Sequence, residues 1–207
     1  MVKLARMAFV TFLTKVERAR LPPDLTERLW ERHGVFVRVA RSQDMSWTRG
    51  IEILGCMGYA FPSRELVLAT VDSMVGCAVR IAASNAFKIG RLDNLLFEVG
   101  VLTKPELLNV GIGTEYAKRI ELGKDGLIVQ YGFATGLILP QVSIENNYDE
   151  RDLLSECCIK AGLPPDSWLT FPDIDICKFQ AEIFRETGID GKVLKFDPDV
   201  SKPCETS

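Results

Sequence analysis

A cysteine between two glycines is the part of this sequence whose residue types could do chemistry. Cys56 lies between Gly55 and Gly58, at the predicted end of an apolar strand and shortly before a helix that Ser63 would cap. Glycine has no Cβ, so the backbone can approach a bound molecule, and a helix N-terminus favours a thiolate. The segment therefore predicts a ligand site with a reactive thiol. The alternative is that Cys56 is a small packing residue, as cysteine often is.

Three other polar residues are candidates for the same site. Glu98 interrupts an apolar strand, so its carboxylate must face solvent or find a partner, and with a raised pKa it would suit general-base chemistry. Gln141 follows a buried strand. Its side chain could orient a ligand, or it could satisfy the hydrogen-bonding groups of a loop. Asp125 is predicted primarily as a turn residue, with a ligand contact as the second interpretation. The sole histidine, His33, gives no recognisable Cys–His pair, so a cysteine hydrolase is not predicted.

Hydrophobic periodicity indicates the elements that must position these residues. The first half predicts helices at 3–17 and 63–84 and strands at 35–40, 50–57 and 95–102. The second half predicts a hairpin over 120–131, a strand at 137–140, a helix from Asp149 to Gly162 and a strand at 177–183. The prediction is an α+β fold with a predominantly antiparallel sheet and flanking helices. It comprises a domain over 3–187, with intertwined lobes near 33–103 and 115–187, and a loose tail over 188–207.

Each half shows the order strand, strand, helix, strand, which indicates internal duplication of a β-β-α-β unit. The alternative is that such runs recur by chance in α+β folds. Under duplication, the segments 55–58 and 139–142 are equivalent junctions at one edge of a sheet. Cys56 and Gln141 would then line one cleft, and Glu98 would reach it from a neighbouring strand.

Composition excludes several function classes. The formal net charge is −3, so we do not expect nucleic-acid binding. No run reaches 18 apolar residues, so we do not expect a membrane span. The six cysteines contain no Cys-x-x-Cys pair, and with one histidine no metal site is predicted. The expected location is the cytoplasm, where disulfides are rare outside hyperthermophiles. Only 5 Asn and 4 Gln are present, a weak indication of a thermophilic source.

Ordered sequence blocks over residues 3–187 resemble the AMMECR family. They are listed here in chain order: Gly34-Val35-Phe36-Val37, Gly55-Cys56-Met57-Gly58, Glu98-Val99-Gly100-Val101-Leu102-Thr103, Gly123-Lys124-Asp125-Gly126-Leu127-Ile128-Val129, Gly136-Leu137-Ile138-Leu139-Pro140-Gln141-Val142, and Lys160-Ala161-Gly162-Leu163-Pro164-Pro165 with Trp168. The resemblance is greatest to archaeal and bacterial members. It implies a compact α+β protein of unsettled biochemical function with a suspected cleft at an Arg-Gly-Cys-Ile-Gly block. It also implies association with a dioxygenase-like Memo protein or a radical-SAM protein.

This chain departs from the family pattern at two places. Leu54 stands where the family block has arginine, and residues 85–90 stand where the family has aspartate followed by Arg-Phe-Pro-Pro. Both departures remove charges that could hold an anion, although Arg49, Lys88 or Arg91 could compensate. Two function classes remain open: a small-molecule-binding or enzyme-related protein, with cofactor unknown, and a non-catalytic protein-interaction module. A deep pocket converging on Cys56 would favour the first, and an exposed apolar patch the second.

Overall fold

The computed structural model describes residues 1–43, 47, 50–84, 92, 94–110, 113–187 and 191–197. The chain divides into two compact units. The first comprises residues 1–102 and 182–196, and the second comprises residues 103–181 and 197–207. Each unit has its own apolar core, and both include part of one long strand near the C-terminus.

The first unit opens with two long helices and three long strands. In chain order these are α1 (Val2–Lys15), β1 (Gly34–Ser42), β2 (Ile51–Tyr59), α2 (Leu66–Ala83) and β3 (Leu95–Leu102). Val35, Val37 and Val39 alternate along β1 and are fully buried among the residues of α1 and α2, the pattern of a strand with one face on the core. Among the described helices, α2 alone is long and apolar enough to cross a membrane, and 56% of it is buried as a core helix.

The second unit follows with shorter elements. They are β4 (Glu106–Leu107), β5 (Asp125–Tyr131), β6 (Ala134–Ile138), α3 (Gln141–Asn146), α4 (Glu150–Lys160) and α5 (Ser167–Thr170). The predicted helix start at Asp149 is confirmed, because its side chain accepts from backbone N–H groups of α4 and completes a capping box with Asp152. The buried Cys157 and Cys158 place α4 in the core of this unit.

The last two strands are β7 (Asp175–Glu186) and β8 (Val193–Lys195). Residues 175–181 of β7 belong to the second unit, while residues 182–186 belong to the first together with β8. At its C-terminal end, β7 places Glu186 where its carboxylate accepts from Arg6 of α1, at 2.9 Å from Nε to Oε1. The final strand thus completes the first unit with residues that are remote in sequence.

The predicted α+β class with an antiparallel sheet is confirmed. The eight strands have the order β2-β1-β3-β7-β5-β6, with β4 and β8 both paired to β7. Strand β1 pairs with β2 and β3, and β5 pairs with β6 and β7, all in antiparallel registers. Strand–strand–helix–strand order occurs in both halves, as β1-β2-α2-β3 and β5-β6-α4-β7. Internal duplication nevertheless stays a prediction, because a shared order of elements does not establish it.

Two local predictions are wrong or incomplete. The hairpin predicted over 120–131 does not form. Strand β5 is followed instead by a turn at Gly132-Phe133 and pairs with β6. Gly132 has a φ of 58°, the left-handed backbone that a two-residue hairpin turn requires.

The predicted loose tail also differs from the structure. Residues 193–195 pair with β7, and the Phe196 N–H donates to the Ile183 carbonyl at 2.7 Å. Residues 198–207 lie outside the described part.

Candidate functional site

Cys56 lies in the middle of β2 rather than at a helix start. It is exposed, and its Cα partner on the neighbouring strand is Arg38. The helix α2 begins ten residues later at Leu66, with Glu65 and not Ser63 as its N-cap residue. The predicted influence of a helix N-terminus on the thiol is therefore wrong. The alternative that Cys56 is a buried packing residue is also wrong, because the side chain is accessible.

The two glycines beside Cys56 make close packing of the first unit feasible. A Cβ on Gly55 would lie 2.6 Å from Cys77 Sγ and 3.0 Å from Ile81 Cδ1, both on α2. A Cβ on Gly58 would lie 2.6 Å from Cγ of Phe36 on β1. All three separations are shorter than van der Waals contact. These glycines therefore admit a helix and a neighbouring side chain, and their predicted role in ligand access stays a prediction.

A buried charged cluster lies on the same face of the sheet as Cys56. Strand β1 pairs Arg38 with Cys56 on one side and with Glu98 on the other, and directly opposed residues share a face. Nη1 of Arg38 donates to Oε1 of Glu98 at 3.1 Å, and Nε of Arg185 donates to Oε2. Arg38, Glu98 and Arg185 are only 5%, 1% and 8% exposed. Glu98 thus has buried partners, and the solvent-facing alternative is wrong.

This arrangement bears on the predicted catalytic role of Glu98. Both carboxylate oxygens accept from guanidinium N–H groups, and a general base needs an oxygen that substrate can reach. The contacts favour a structural role in which Glu98 joins two arginines. A catalytic role for Glu98 stays a prediction that this geometry does not favour.

Aromatic rings flank the two arginines. Cζ of Arg38 and Cζ of Arg185 lie 5.6 and 4.9 Å from the ring centroid of Trp47, and Arg185 also lies 4.2 Å from the ring centroid of Phe196. The Trp47 indole N–H donates to the Glu186 carbonyl at 2.9 Å. Cation–π contacts of this kind contribute about 0.5–2 kcal/mol each. These contacts hold the planes of the two guanidinium groups, and with them the positions of the two positive charges.

Of the remaining described cysteines, three are buried and Cys177 is half-buried. Burial raises the pKa of Cys77 and of Cys157 to about 12, with smaller contributions from Cys56 and Cys158 respectively. Burial also raises the pKa of Cys158 and Cys177. Because the thiolate is the nucleophile, these four thiols are poorly reactive in the folded protein. Cys56 is the one exposed cysteine in the described part of the chain, and Cys204 lies outside it.

The other two predicted site residues belong to the second unit. Gln141 is fully buried at the first position of α3, so the predicted strand-to-helix junction is confirmed there. Asp125 is not a turn residue but the first residue of β5. Its carboxylate accepts from Lys178 Nζ at 3.1 Å, from Gln180 Nε2 at 3.2 Å and from the Glu121 N–H at 3.0 Å. These contacts satisfy a structural carboxylate. The cleft shared by Cys56 and Gln141 stays a prediction.

Histidine and metal chemistry find little support in the described residues. His33 lies five residues from Arg38, the partner of Cys56, which corresponds to roughly 17 Å along an extended strand. Its Nε2 lies 3.4 Å from Oε2 of Glu31. Across the described ranges, no group of three His, Cys, Asp or Glu side chains is placed to hold a metal ion. The site therefore consists of a thiol, two guanidinium groups, a carboxylate and an indole.

The positions where the sequence departs from the AMMECR pattern have different outcomes. Leu54 has no Cα partner on β1, because the register shifts between Val39 and Ala40, and its side chain packs against the first core. No charge therefore replaces the missing arginine at that position. The segment 85–90 and the residues proposed to compensate, Arg49, Lys88 and Arg91, lie outside the described part of the chain.

Sequence reasoning missed Arg38, Arg185 and Trp47. Arg38 is the single charge within Val35–Ala40 of β1, as Glu98 is within the apolar part of β3. Two opposite charges, each isolated in a buried strand, are a signal for a buried ion pair. That signal was present for Arg38. No comparable signal marks Trp47 in its polar loop.

Comparison with known proteins decides the family. The AMMECR1 family model matches residues 2–184, nearly the whole chain. This chain belongs to the AMMECR1 family. A generically named protein of Pyrococcus abyssi is 42% identical over 186 residues, covering 90% of this chain and 88% of the relative. A protein of Methanopyrus kandleri is 38% identical over 198 residues, covering 95% and 92%.

A solved structure in this family has the same fold. The crystal structure of an uncharacterised protein from Pyrococcus horikoshii aligns with a TM-score of 0.84 and 40% identity, covering 94% of each chain. The relatives named here come from thermophilic archaea. AMMECR1 membership therefore establishes the fold and the kinship, while the names of these relatives assign no activity.

Proposed function

We propose that this AMMECR1 protein binds a small molecule on the face of the first unit that carries Cys56, and that the thiol contacts or reacts with that molecule. One observation carries the proposal. The exposed Cys56 on β2 is the direct cross-strand neighbour of Arg38 on β1, and Arg38 forms a buried ion pair with Glu98 that is joined to Arg185. An enzyme-related protein needs such a combination of an accessible nucleophile and fixed charges.

Energetic reasoning supports a ligand site over a purely structural one. Replacing a buried ion-pair cluster by apolar residues of similar volume is often neutral or stabilising. The Arg38–Glu98–Arg185 cluster is therefore not explained by stability alone.

Selective alkylation tests whether Cys56 is the reactive thiol. We expect iodoacetamide to modify Cys56 in the folded protein long before Cys77, Cys157, Cys158 or Cys177, because those four thiols are shielded. A Cys204→Ser background removes the cysteine outside the described residues, and peptide mass spectrometry maps the products. If Cys56 is modified only after unfolding, the proposal is refuted.

Ligand retention tests the binding itself. Native mass spectrometry of protein purified under mild conditions should show a bound metabolite that is absent from the Cys56→Ala variant. The matched control is Cys177→Ala, which removes a half-buried thiol from the second unit. Equal retention by Cys56→Ala and wild type would contradict the role of the thiol.

A second candidate is the interaction module, and exposed apolar side chains favour it. Ile53, Tyr59 and Phe61 on and after β2 are all exposed, and apolar surface of this kind is typical of protein contacts. Under this alternative, an Ile53→Ser and Phe61→Ser double variant would lose a partner while Cys56→Ala would keep it. The Memo-like or radical-SAM partners that the family implies, and a cytoplasmic location, are proposals for co-purification and fractionation to test.

A further inference from the structure

A groove beside β4 in the second unit has the features of a separate ligand site. It comprises two cavities of about 330 and 430 Å³, within the size range of small-molecule sites. The two cavities adjoin, because Leu107, Leu108 and Asn109 line both of them. We propose that this groove binds a free α-amino acid with an apolar side chain, and that Arg119 holds its carboxylate and Glu106 its ammonium group.

A single turn of 3₁₀ helix presents two hydrogen-bond donors to this groove. The turn spans Ala117–Arg119, and the Arg119 N–H donates to the carbonyl of Tyr116 at 3.0 Å. Side chains three residues apart in such a turn lie one above the other, so those of Tyr116 and Arg119 extend from the same side. Arg119 lines the first cavity and Tyr116 the second. A carboxylate in the groove would therefore meet a guanidinium group and a phenol hydroxyl.

Tyr116 is the observation that distinguishes the groove from an ordinary surface depression. The residue is only 9% exposed, yet its hydroxyl makes no hydrogen bond to any other residue that the structure describes. A nearly buried hydroxyl without a partner is unfavourable, and a ligand oxygen would supply that partner. Burial, and secondarily the charge of Asp175, raises the pKa of Tyr116, so the hydroxyl stays protonated and can donate to a carboxylate.

The charges around the first cavity suit a ligand that carries both signs. Nζ of Lys178 donates to the Arg119 carbonyl and to Oδ2 of Asp125, each at 3.1 Å. The Arg119 guanidinium is exposed and forms no hydrogen bond or ion pair within the described ranges. Glu106 is the cross-strand partner of Lys178, and within those ranges its carboxylate pairs with neither cation. A free cation and a free anion thus line one cavity without neutralising each other, and an amino acid would pair with both.

The second cavity suits the side chain of such a ligand. Val110 and Ile174 line it together with the ring of Tyr116, and Leu107 on the shared wall is 45% exposed. Apolar walls with a few polar groups at one end are typical of sites for small molecules. An apolar side chain placed here would remove this surface from water, which favours binding.

Three matched ligands test both charges on the full chain. L-Leucine carries both, N-acetyl-L-leucine lacks the ammonium group, and L-leucinamide lacks the carboxylate. The two analogues also resemble the terminal residues of a peptide, so they distinguish a free amino acid from a peptide end. In NMR titrations of the isotope-labelled protein at constant pH and ionic strength, we expect L-leucine to bind with a Kd below about 1 mM, as metabolites commonly do. Each analogue should bind about tenfold more weakly, because it loses a charge-assisted hydrogen bond.

Two substitutions assign the charges to their residues. Arg119→Met should weaken L-leucine binding about tenfold but leave L-leucinamide binding unchanged, because that analogue has no carboxylate to lose. Glu106→Gln should weaken L-leucine binding similarly and leave N-acetyl-L-leucine binding unchanged. Tyr116→Phe removes only the hydroxyl and should also weaken L-leucine binding. Lys118→Met is the matched control, since Lys118 is an exposed cation on the same turn that lines neither cavity.

Several results would overturn the proposal. Failure of the wild-type protein to bind L-leucine refutes it without any variant, as does an analogue that binds as tightly as L-leucine. If Lys118→Met weakens binding as much as Arg119→Met does, a general charge effect explains the data and the assigned role of Arg119 is wrong. Circular dichroism confirms that each variant is folded before its affinity is compared.

Discussion

Glu98→Gln is the substitution that tests the buried cluster most directly. The glutamine has the same size, but it carries no charge and presents an NH2 group to one of two guanidinium groups, where donor would meet donor. Removing one partner from a buried ion pair costs about 3–5 kcal/mol, because the remaining charge stays buried without compensation. In a chain of this size about 1 kcal/mol corresponds to 2–4 °C. We therefore expect the melting temperature to fall by roughly 6–20 °C.

A second glutamate on β7 provides the control. Oε1 of Glu182 accepts from Lys195 Nζ at 2.5 Å, and the two side chains are 64% and 58% exposed. Exposed pairs contribute about 0–1 kcal/mol, so Glu182→Gln should change the unfolding free energy by no more than that. Guanidinium chloride titration followed by circular dichroism gives both values and shows whether the m-value is preserved.

The comparison between these two variants can refute the reasoning. If Glu98→Gln and Glu182→Gln lose equally little stability at an unchanged m-value, the buried contacts of Glu98 are not coupled energetically. The cluster would then be no constraint on the fold, and the argument that Arg38 is fixed beside Cys56 would fail with it.

Three further predictions concern packing, pH and the C-terminus. Gly55→Ala should destabilise the protein by about 1–3 kcal/mol through overpacking, and Cys77→Ala should relieve much of this loss by removing the Sγ atom, as denaturant titration would show. In the folded state the pKa of Cys77 and of Cys157 is raised to about 12. Below the unfolded-state pKa of about 8.5, both thiols are protonated in either state, so the protein has its full unfolding free energy. It should decline by up to about 1.4 kcal/mol per thiol per pH unit as the pH rises toward 12; a pH-independent unfolding free energy from pH 8 to 10.5 would contradict this. The sequence predicts that deleting 195–207 is harmless, but the deletion removes Phe196 from Arg185, so calorimetry should show a melting temperature lower by several degrees.

Most of the first unit could be predicted from the sequence because its elements are long and strongly periodic. Helix α2 and strand β3 lie where the pattern places them, within a few residues. The second unit was harder, because the turn-like Lys124-Asp125-Gly126 segment carries a buried carboxylate instead. Its partners Lys178 and Gln180 come from β7, more than fifty residues away, and local patterns do not contain such pairings.

The candidate site could be predicted only in part for the same reason. An isolated Glu98 in an apolar strand indicated that its carboxylate must face solvent or find a partner, and Cys56 was found through its glycines. The identity of that partner depended on the register of β1 against β3 and on the approach of β7. Register is set by pairing across the sheet, so neither Arg38 nor Arg185 could be assigned to Glu98 from spacing alone.

Strand β7 also makes completion of the first unit wait until residues 182–196 have been synthesised. Glu98 and Arg185 are 87 residues apart in sequence, and Arg6 and Glu186 are 180 apart. At roughly 5–20 residues per second, the ribosome makes Glu98 about 4–17 s before Arg185. During that interval β3 lacks its β7 neighbour, and an unpaired strand edge is prone to aggregation. The nascent chain is therefore vulnerable in the interval between synthesis of β3 and synthesis of β7.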